Sequence, residues 1–221
     1  MSADGRVSDV GDGGLPDFTS AELSSALDAI VRGVEAFGIP ASMDWHTARQ
    51  SLDDDDGQWK FSAVLVAIVE RREPTILLTL RSSGLNEYSS HVSFPGGRPE
   101  ASDENIGATA LREAFEEICL DPNAVQVVGC LPIHKTRKRN HAIFPVIGIL
   151  SSEAVWKAAP AEVEAIFEFP VATLLNADLP RHYADGERAG ALYWADQPHD
   201  IWGVTARVLK SLADLALTGR Q

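Results

Sequence analysis

Cysteine is scarce in this sequence, and long apolar runs are missing. Cys119 and Cys130 are the two cysteines among 221 residues, too few for a disulfide framework. The apolar run at residues 61–69 has the length of a strand and falls far short of the roughly 18 residues that span a bilayer. The opening residues, MSADGRVSDVGDGG, lack the apolar segment of a secretory signal. We therefore expect a protein of the reducing cytoplasm, without membrane attachment.

Positive charge is also in short supply. The chain has 19 Lys and Arg against 32 Asp and Glu, which gives a formal net charge of −13. A field of this sign disfavours loose binding to nucleic acid or to anionic membranes, so neither is expected as a partner. It also repels an anionic substrate unless a metal or local cations offset it. The acidic run at residues 53–56 lacks the spacing of a calcium-binding loop and is interpreted as solvated.

The chain is long enough for one domain with a full core. We expect residues 1–16, rich in Gly and Asp, to form a disordered tail, and residues 17–221 to form one domain that begins with a helix. Hydrophobic periodicity predicts strands at 61–69, 75–80, 92–94, 125–131, 142–150, 162–169 and 191–194, and helices at 20–37, 106–118, 171–175 and 204–217. This order predicts an α/β fold in which helices cover both faces of a mixed sheet.

The predicted helix at 106–118 carries three acids on one side. Glu113, Glu116 and Glu117 are spaced i, i+3 and i+4, within about a third of the helix circumference. Phe115 falls among the apolar residues of the opposite side, which we expect to face the core. Carboxylates this close repel one another, and a hard divalent cation such as Mg²⁺ or Mn²⁺ relieves the repulsion. A merely solvated acidic face is the alternative.

A glycine turn precedes this helix and favours the metal site. Phe94-Pro95-Gly96-Gly97 leads from an apolar strand into what we expect to be a flexible loop. Glycines let backbone groups approach a ligand closely, which makes Gly96 a candidate substrate contact.

The segment from Gly97 to Leu120 resembles the Nudix box. The matching residues are Glu104, Arg112, Glu113, Glu116, Glu117 and Leu120. Gly97 lies one residue farther from Glu104 than the general pattern has it, Ala114 is small, and Cys119 replaces a Gly that often takes a left-handed conformation.

The first two departures are typical of the coenzyme A pyrophosphatase branch of that family. The sequence segments that resemble this branch are LLTLRS at 77–82, SFPGG at 93–97, TALREA at 109–114, PAEV at 160–163 and IWGVTAR at 201–207. One departure remains, because Tyr88-Ser89-Ser90-His91 stands where the branch has His-x-Gly-Gln.

The resemblance implies a Nudix-type α/β/α sandwich and a metal-dependent pyrophosphohydrolase. It implies that Glu113, Glu116 and Glu117 ligate Mg²⁺ or Mn²⁺, with the carbonyl of Gly97 completing the shell, and that Arg112 orients an acid. Glu104 is assigned to the junction between loop and helix.

The identity of the general base is left open. Glu162 and Glu164 follow the turn at Pro160 and are the candidates from outside the box, although both could be surface acids. Glu116, Glu117, Arg112 and Glu162 are therefore the expected catalytic residues.

Basic residues are the candidates for substrate binding. Arg81 ends a predicted strand and either contacts phosphate or pairs with an acid, and His91 precedes the glycine turn. The densest basic segment, HKTRKRNH at 134–141, is either a solvated loop or a phosphate clamp that includes Lys135 and Arg137.

The resemblance implies hydrolysis of coenzyme A or a derivative to 3′,5′-ADP and a phosphopantetheine. The alternatives are hydrolysis of another nucleoside diphosphate derivative such as ADP-ribose, or a Nudix-fold regulator that binds a ligand without turnover. The expected partner is thus a small nucleotide pyrophosphate, and a homodimer is left open.

Overall fold

The computed structural model of the protein describes residues 18–52, 59–83, 90–136 and 140–218. The expected tail at 1–16, the acidic run at 53–56, the dipeptide Tyr88-Ser89 and Arg137 lie outside these ranges.

A mixed sheet forms the centre of the fold. Its two longest strands, β1 (Lys60–Glu70) and β7 (His141–Ser151), run parallel and pair over their full length. Outside β1 lie β2 (Thr75–Arg81) and then β8 (Val163–Pro170), both joined by antiparallel pairing, and outside β7 lies the antiparallel β5 (Val125–Cys130).

Three short strands extend this sheet. β3 (Val92–Ser93) pairs with β2, β4 (Gly96–Gly97) pairs with β1, and β6 (His134–Thr136) pairs with β7. The expected flexible glycine turn is therefore wrong in part, because the two glycines are hydrogen-bonded strand residues. The basic segment is also only in part a loop, since its first three residues form β6.

Helices cover both faces of the sheet. α1 (Ser20–Phe37) and α5 (Gly203–Thr218) pack on one face, and α2 (Trp45–Gln50) and α3 (Ile106–Ile118) pack on the other. The α/β fold with a mixed sheet, in an α/β/α arrangement, is confirmed. Within the described ranges no helix is long and apolar enough to cross a membrane.

A second, small sheet lies between β8 and α5 in sequence. It follows α4 (Val171–Leu174) and contains β9 (Arg181–His182), β10 (Leu192–Trp194) and β11 (Ile201–Trp202), all antiparallel. Tyr193 of this sheet pairs with Trp202, directly before α5.

The sequence of β1 explains the layering. Val66 and Ile68 belong to the core beneath α1 and α5, whereas Leu65 and Ala67 belong to the core beneath α3, and all four are fully buried. A strand buried on both faces has no polar alternation, which is why its sequence is almost continuously apolar.

The end of α3 carries a conformation that glycine favours. Cys119 has φ 51° and ψ 29°, the left-handed region expected from its position in the motif, and its N–H bonds to the carbonyls of Ala114 and Phe115. Of the two thiols, that of Cys119 is exposed and that of Cys130 is buried.

We predict that Cys119→Gly stabilises the protein by about 1 kcal/mol, because glycine adopts the left-handed region without the clash that a Cβ causes. Urea unfolding measures the change. Cys119→Ala is the matched control, since it removes the thiol and keeps the Cβ. Equal unfolding free energies for the two variants would contradict the prediction.

Candidate active site

The most buried acid of the site is Glu117, near the end of α3. Its exposed fraction is 1%, although the helix pattern predicted Phe115 on the core side, and Phe115 is 55% exposed. The expectation for Phe115 is wrong because α3 approaches β1 along small residues, Ala110 and Ala114, which brings Glu117 inward.

Two donors hold the Glu117 carboxylate. The Gly96 N–H donates to Oε2 at 3.0 Å, and Arg81 Nη1 donates to Oε1 at 3.0 Å. Burial raises the pKa of Glu117 to about 7; the two donors oppose this shift, and the charges of Glu113 and Glu162 add to it. Strand β4 thus places the Gly96 N–H against the buried carboxylate of Glu117.

Arg112 contacts three further acids of the site. Its Nε and Nη2 donate to the two carboxylate oxygens of Asp103, both at 3.0 Å. Nη1 donates to Glu116 at 2.9 Å, and Nη2 also contacts Glu113 at 3.1 Å and the carbonyl of Arg98 at 2.9 Å. These contacts raise the pKa of Arg112, with the Asp103 hydrogen bonds as the largest cause.

Asp103 is a residue that the sequence reasoning missed. Burial opposes its ionisation, but hydrogen bonds from Arg112, the Glu100 N–H and the Thr109 hydroxyl lower its pKa on balance. Trp45 of α2 in turn donates to Thr109 at 3.0 Å. A lone Asp in a loop before a helix carries no periodic signal, and only its place two residues before the N-cap, Asn105, could have pointed to it.

The role given to Glu104 therefore needs correction. Glu104 is exposed, and the junction between loop and helix is made by its neighbours, Asp103 and Asn105. Asn105 is the N-cap of α3 and accepts from the Ala108 N–H at 2.8 Å.

An added Cβ would clash at both glycines of β4, with backbone at Gly96 and with the end of a flexible side chain at Gly97. A Cβ on Gly97 would lie 2.3 Å from Glu113 Oε1, and a Cβ on Gly96, at φ +153°, would lie 2.4 Å from the Ala63 carbonyl. The Glu113 carboxylate therefore fills the space that a side chain at 97 would take. Burial raises the pKa of Glu113, Arg112 opposes the shift, and the charges of Glu116 and Glu162 add to it.

Glu162 reaches the site because its segment is tied to the end of α3. The Ala159 N–H donates to the Glu117 carbonyl at 2.9 Å, and the Lys157 N–H donates to the Ile118 carbonyl at 2.8 Å. The Ser82 N–H then bonds to the Glu162 carbonyl at 2.9 Å. Glu162 is exposed, and its charge acts on both Glu113 and Glu117.

The donor set suits a hard divalent cation. Glu113, Glu116 and Glu117 offer carboxylate oxygens, and the two more buried acids have raised pKa values that a cation would relieve. In the part of the chain that the structure describes, no three acidic, histidine or cysteine side chains form a ready metal cluster. The reason is visible in the contacts, since Arg112 holds Glu113 and Glu116 while Arg81 holds Glu117.

The candidate substrate-binding residues lie in two separate parts of the structure. Arg81 and Gly96 meet at Glu117, and His91 is next to them, because the Arg81 N–H donates to the His91 carbonyl at 3.0 Å. The buried Nε of Arg81 has no hydrogen-bond partner among the described residues. Lys135 lies elsewhere, on the exposed strand β6 beside β7, with Nζ 5.8 Å from the centroid of the Trp59 ring.

His91 and His134 both have structural neighbours. The His91 ring lies 5.5 Å from that of Trp202, whose other neighbour is the guanidinium of Arg188 at 4.0 Å. His134 faces Ser211 of α5, with 3.5 Å between its Nε2 and the hydroxyl, and burial lowers its pKa to about 4. His134 is thus directed at the C-terminal helix.

Comparison with known proteins agrees with this geometry. The NUDIX domain family matches residues 59–189. An uncharacterised Nudix hydrolase, NudL of Shigella boydii serotype 4 (strain Sb227), is 40% identical over 158 residues, which cover 69% of this chain and 80% of that protein. NudL of Escherichia coli O1:K1 / APEC is 39% identical over the same length and the same shares.

Among solved structures, an Ap4A hydrolase of C. elegans superposes with a TM-score of 0.47 at 12% identity, over 72% of this chain and 96% of that one. Similarity this low says nothing about the substrate. From the family match and the NudL relatives, the chain belongs to the Nudix family. It is a pyrophosphohydrolase, of a class that acts on small nucleotide derivatives.

We predict that Asp103→Asn lowers kcat/KM by about 10- to 100-fold, because Arg112 loses the bidentate partner that fixes it against Glu113 and Glu116. Steady-state kinetics and thermal unfolding measure the effect, and folding stability should fall by about 2 kcal/mol. The matched control is Glu100→Gln, since Glu100 faces the same guanidinium at 3.9 Å from an exposed position. If the two variants have equal activity, Asp103 does not position Arg112.

Proposed function

We propose that the protein hydrolyses coenzyme A or a close derivative to 3′,5′-ADP and a phosphopantetheine, with Mg²⁺ or Mn²⁺. The observation that carries the hydrolytic part is the Arg112 network, which holds Asp103, Glu113 and Glu116 around one guanidinium beside the buried Glu117. The cytoplasmic location stays a prediction, and a homodimer is left open.

Glu113, Glu116 and Glu117 would hold the cation, with the carbonyl of Gly97. When bound, the cation supplies charge neutralisation for the pyrophosphate oxygens and lowers the pKa of a water molecule. The attacking water forms a bond to one phosphorus, and the bond from that phosphorus to the bridging oxygen breaks, so the leaving phosphate keeps the electron pair. Glu162 takes the proton of the water.

The residues around the acids keep the geometry fixed. Arg112 holds Glu113 and Glu116, and its carbonyl contact at Arg98 ties the loop after the glycines to α3. Arg81 is joined to Glu117 through Nη1, and this ion pair fixes the buried carboxylate beside β4.

One observation favours coenzyme A in spite of the altered segment before β3. Ser90 has φ 57°, a conformation that glycine favours, and the branch that this sequence resembles has Gly at that position. The backbone at position 90 therefore has a conformation that the Gly of the branch adopts without strain. Replacing that Gly by Ser leaves the backbone conformation of the segment nearly the same. The change at His91 is the larger one, because its ring contacts Trp202.

The direct test is a substrate screen. Coenzyme A, dephospho-coenzyme A, ADP-ribose and Ap4A are each incubated with the protein and Mg²⁺ or Mn²⁺, and the products are identified by mass. The proposal expects coenzyme A to have the highest kcat/KM and to yield 3′,5′-ADP. A higher kcat/KM for ADP-ribose would replace it with the alternative, and no turnover of any substrate would favour a non-catalytic ligand-binding protein.

We predict that Glu116→Gln and Glu117→Gln each lower kcat by at least about 100-fold, because each removes a carboxylate ligand while keeping size and helix propensity. Turnover is measured under saturating Mg²⁺, with circular dichroism to verify the fold. Glu104→Gln is the control, as an exposed acid of the same segment. Near-native turnover of both variants would exclude α3 as the metal site.

We predict that Ser90→Gly with His91→Gln raises the ratio of kcat/KM for coenzyme A over ADP-ribose by roughly fivefold, because the backbone of residue 91 is bonded to the Arg81 N–H while its side chain is not part of the carboxylate cluster. Ser90→Gly alone is the control: it relieves the backbone and should leave the ratio unchanged. An unchanged ratio in the double variant would mean that position 91 does not select the substrate.

A further inference from the structure

A small cavity of about 190 Å³ opens beside the glycine turn. Its lining consists of three cations and two aromatic rings together with one proline: Arg49, Lys60, Arg98, Trp59, Phe61 and Pro99. No acid lines it among the described residues. In a protein with a net charge of −13, a concave surface whose charged lining residues, among those described, are all cations differs in sign from the overall field.

The cavity has a rigid aromatic base. Phe61 is 3% exposed, and the guanidinium of Arg49 lies over its ring at 4.9 Å from the centroid. Lys135 adds a fourth cation next to the cavity, since its Nζ lies 5.8 Å from the Trp59 ring centroid. The sequence-predicted basic segment therefore contributes a residue to this surface rather than to the carboxylate cluster.

The cavity lies within one substrate length of the carboxylates. Gly97 pairs with Ala63, and Phe61 and Lys60 precede Ala63 by two and three residues on β1. At about 3.3 Å per residue, the cavity begins roughly 7–10 Å from the glycine turn. The loop that carries Arg98 is fixed relative to α3, because the Arg98 carbonyl accepts a hydrogen bond from Arg112.

We propose that this cavity binds the end of the substrate that carries a phosphomonoester in addition to the pyrophosphate, with the monoester on Arg49, Lys60 and Arg98 and the nucleoside face on Trp59. Guanidinium groups recognise phosphate through paired, charge-assisted hydrogen bonds, and an aromatic face stacks on a base. The inference rests on the proposed function, because coenzyme A carries such a monoester at its 3′ position and ADP-ribose does not.

A larger cavity of about 480 Å³ at the small sheet is less suited to this ligand. Its lining includes the acids Asp196 and Asp200, and none of its lining residues belongs to the carboxylate cluster. Asp200 is paired with Arg188, whose guanidinium is stacked over Trp202, and an anionic group would still meet the carboxylate of Asp196 there.

Binding of products tests the inference without turnover. Isothermal titration of the full chain in EDTA compares 3′,5′-ADP with 5′-AMP, which differ by the 3′ monoester alone. The native protein should bind 3′,5′-ADP about tenfold more tightly, and Arg49→Gln with Arg98→Gln should bring the two affinities together. Arg49→Lys with Arg98→Lys should retain part of the difference, because the charge is kept.

The matched control changes the net charge equally at a distance. Arg72→Gln with Lys210→Gln removes two exposed cations, one hydrogen-bonded to Ser20 and one paired with Asp214. This variant should keep the native preference for 3′,5′-ADP. If it loses the preference as fully as the cavity variant does, the effect belongs to the overall field and the inference is overturned.

Trp59 supplies an independent signal. Addition of 3′,5′-ADP should quench fluorescence in the native protein, and Trp59→Phe should abolish most of that change while the other tryptophans still emit. Quenching that persists in Trp59→Phe would place the nucleoside elsewhere and overturn the assignment.

The outcomes separate this inference from the proposed function. If coenzyme A is not hydrolysed but the preference for 3′,5′-ADP is present and is lost in the cavity variant, the proposed function fails and the cavity assignment stands. If coenzyme A is hydrolysed but native protein binds both nucleotides equally, the assignment fails alone. If the cations instead only stabilise the fold, the cavity variant would lower the melting temperature with no change in the preference for 3′,5′-ADP, which also overturns the assignment.

Discussion

The site depends on one guanidinium that lies among several carboxylates. Arg112 spans Asp103, Glu113 and Glu116, and without it three acids in close proximity would repel one another. Removing one partner from a buried ion pair is costly because the other charge is left uncompensated. The arrangement also explains why the acids do not form a ready cation cluster. Their oxygens are already engaged, and a metal would compete with the arginine for them.

Glu117 imposes a second constraint, this time on the sheet. A buried carboxylate needs donors, and here they come from the Gly96 N–H and from Arg81. Both donors sit on strands, β4 and the end of β2, so the position of α3 against the sheet edge is set by charge as well as by apolar contact. The sheet adds a steric constraint at Gly96, where a Cβ would collide with the Ala63 carbonyl, whereas a Cβ on Gly97 would meet the movable carboxylate of Glu113.

The longer elements were predictable from the sequence, whereas several of the short ones were not. β1, α1 and α3 were located within a residue or so because periodicity and caps act over many residues, as with Thr19, whose capping box with Glu22 starts α1. α2 and β6 are too short to show a period. The face of α3 was misjudged because hydrophobicity alone sends Phe115 inward, whereas donors on neighbouring strands can draw in an acid. Asp103 was missed because its partner, Arg112, lies nine residues away across a loop.

The register between β4 and β1 connects the acidic and the basic features of the molecule. Ala63 faces Gly97, and a few residues earlier on the same strand Lys60 and Phe61 border the cationic cavity. Strand β1 therefore fixes the distance between the carboxylate cluster, which attracts cations, and the cavity, which attracts anions. In an acidic protein, a substrate with several phosphates is repelled at most of the surface, so opposite local charges a fixed distance apart give it one favourable orientation. A slip of one residue in this pairing would turn the side chains of β1 to the other face and would separate the cavity from the carboxylates.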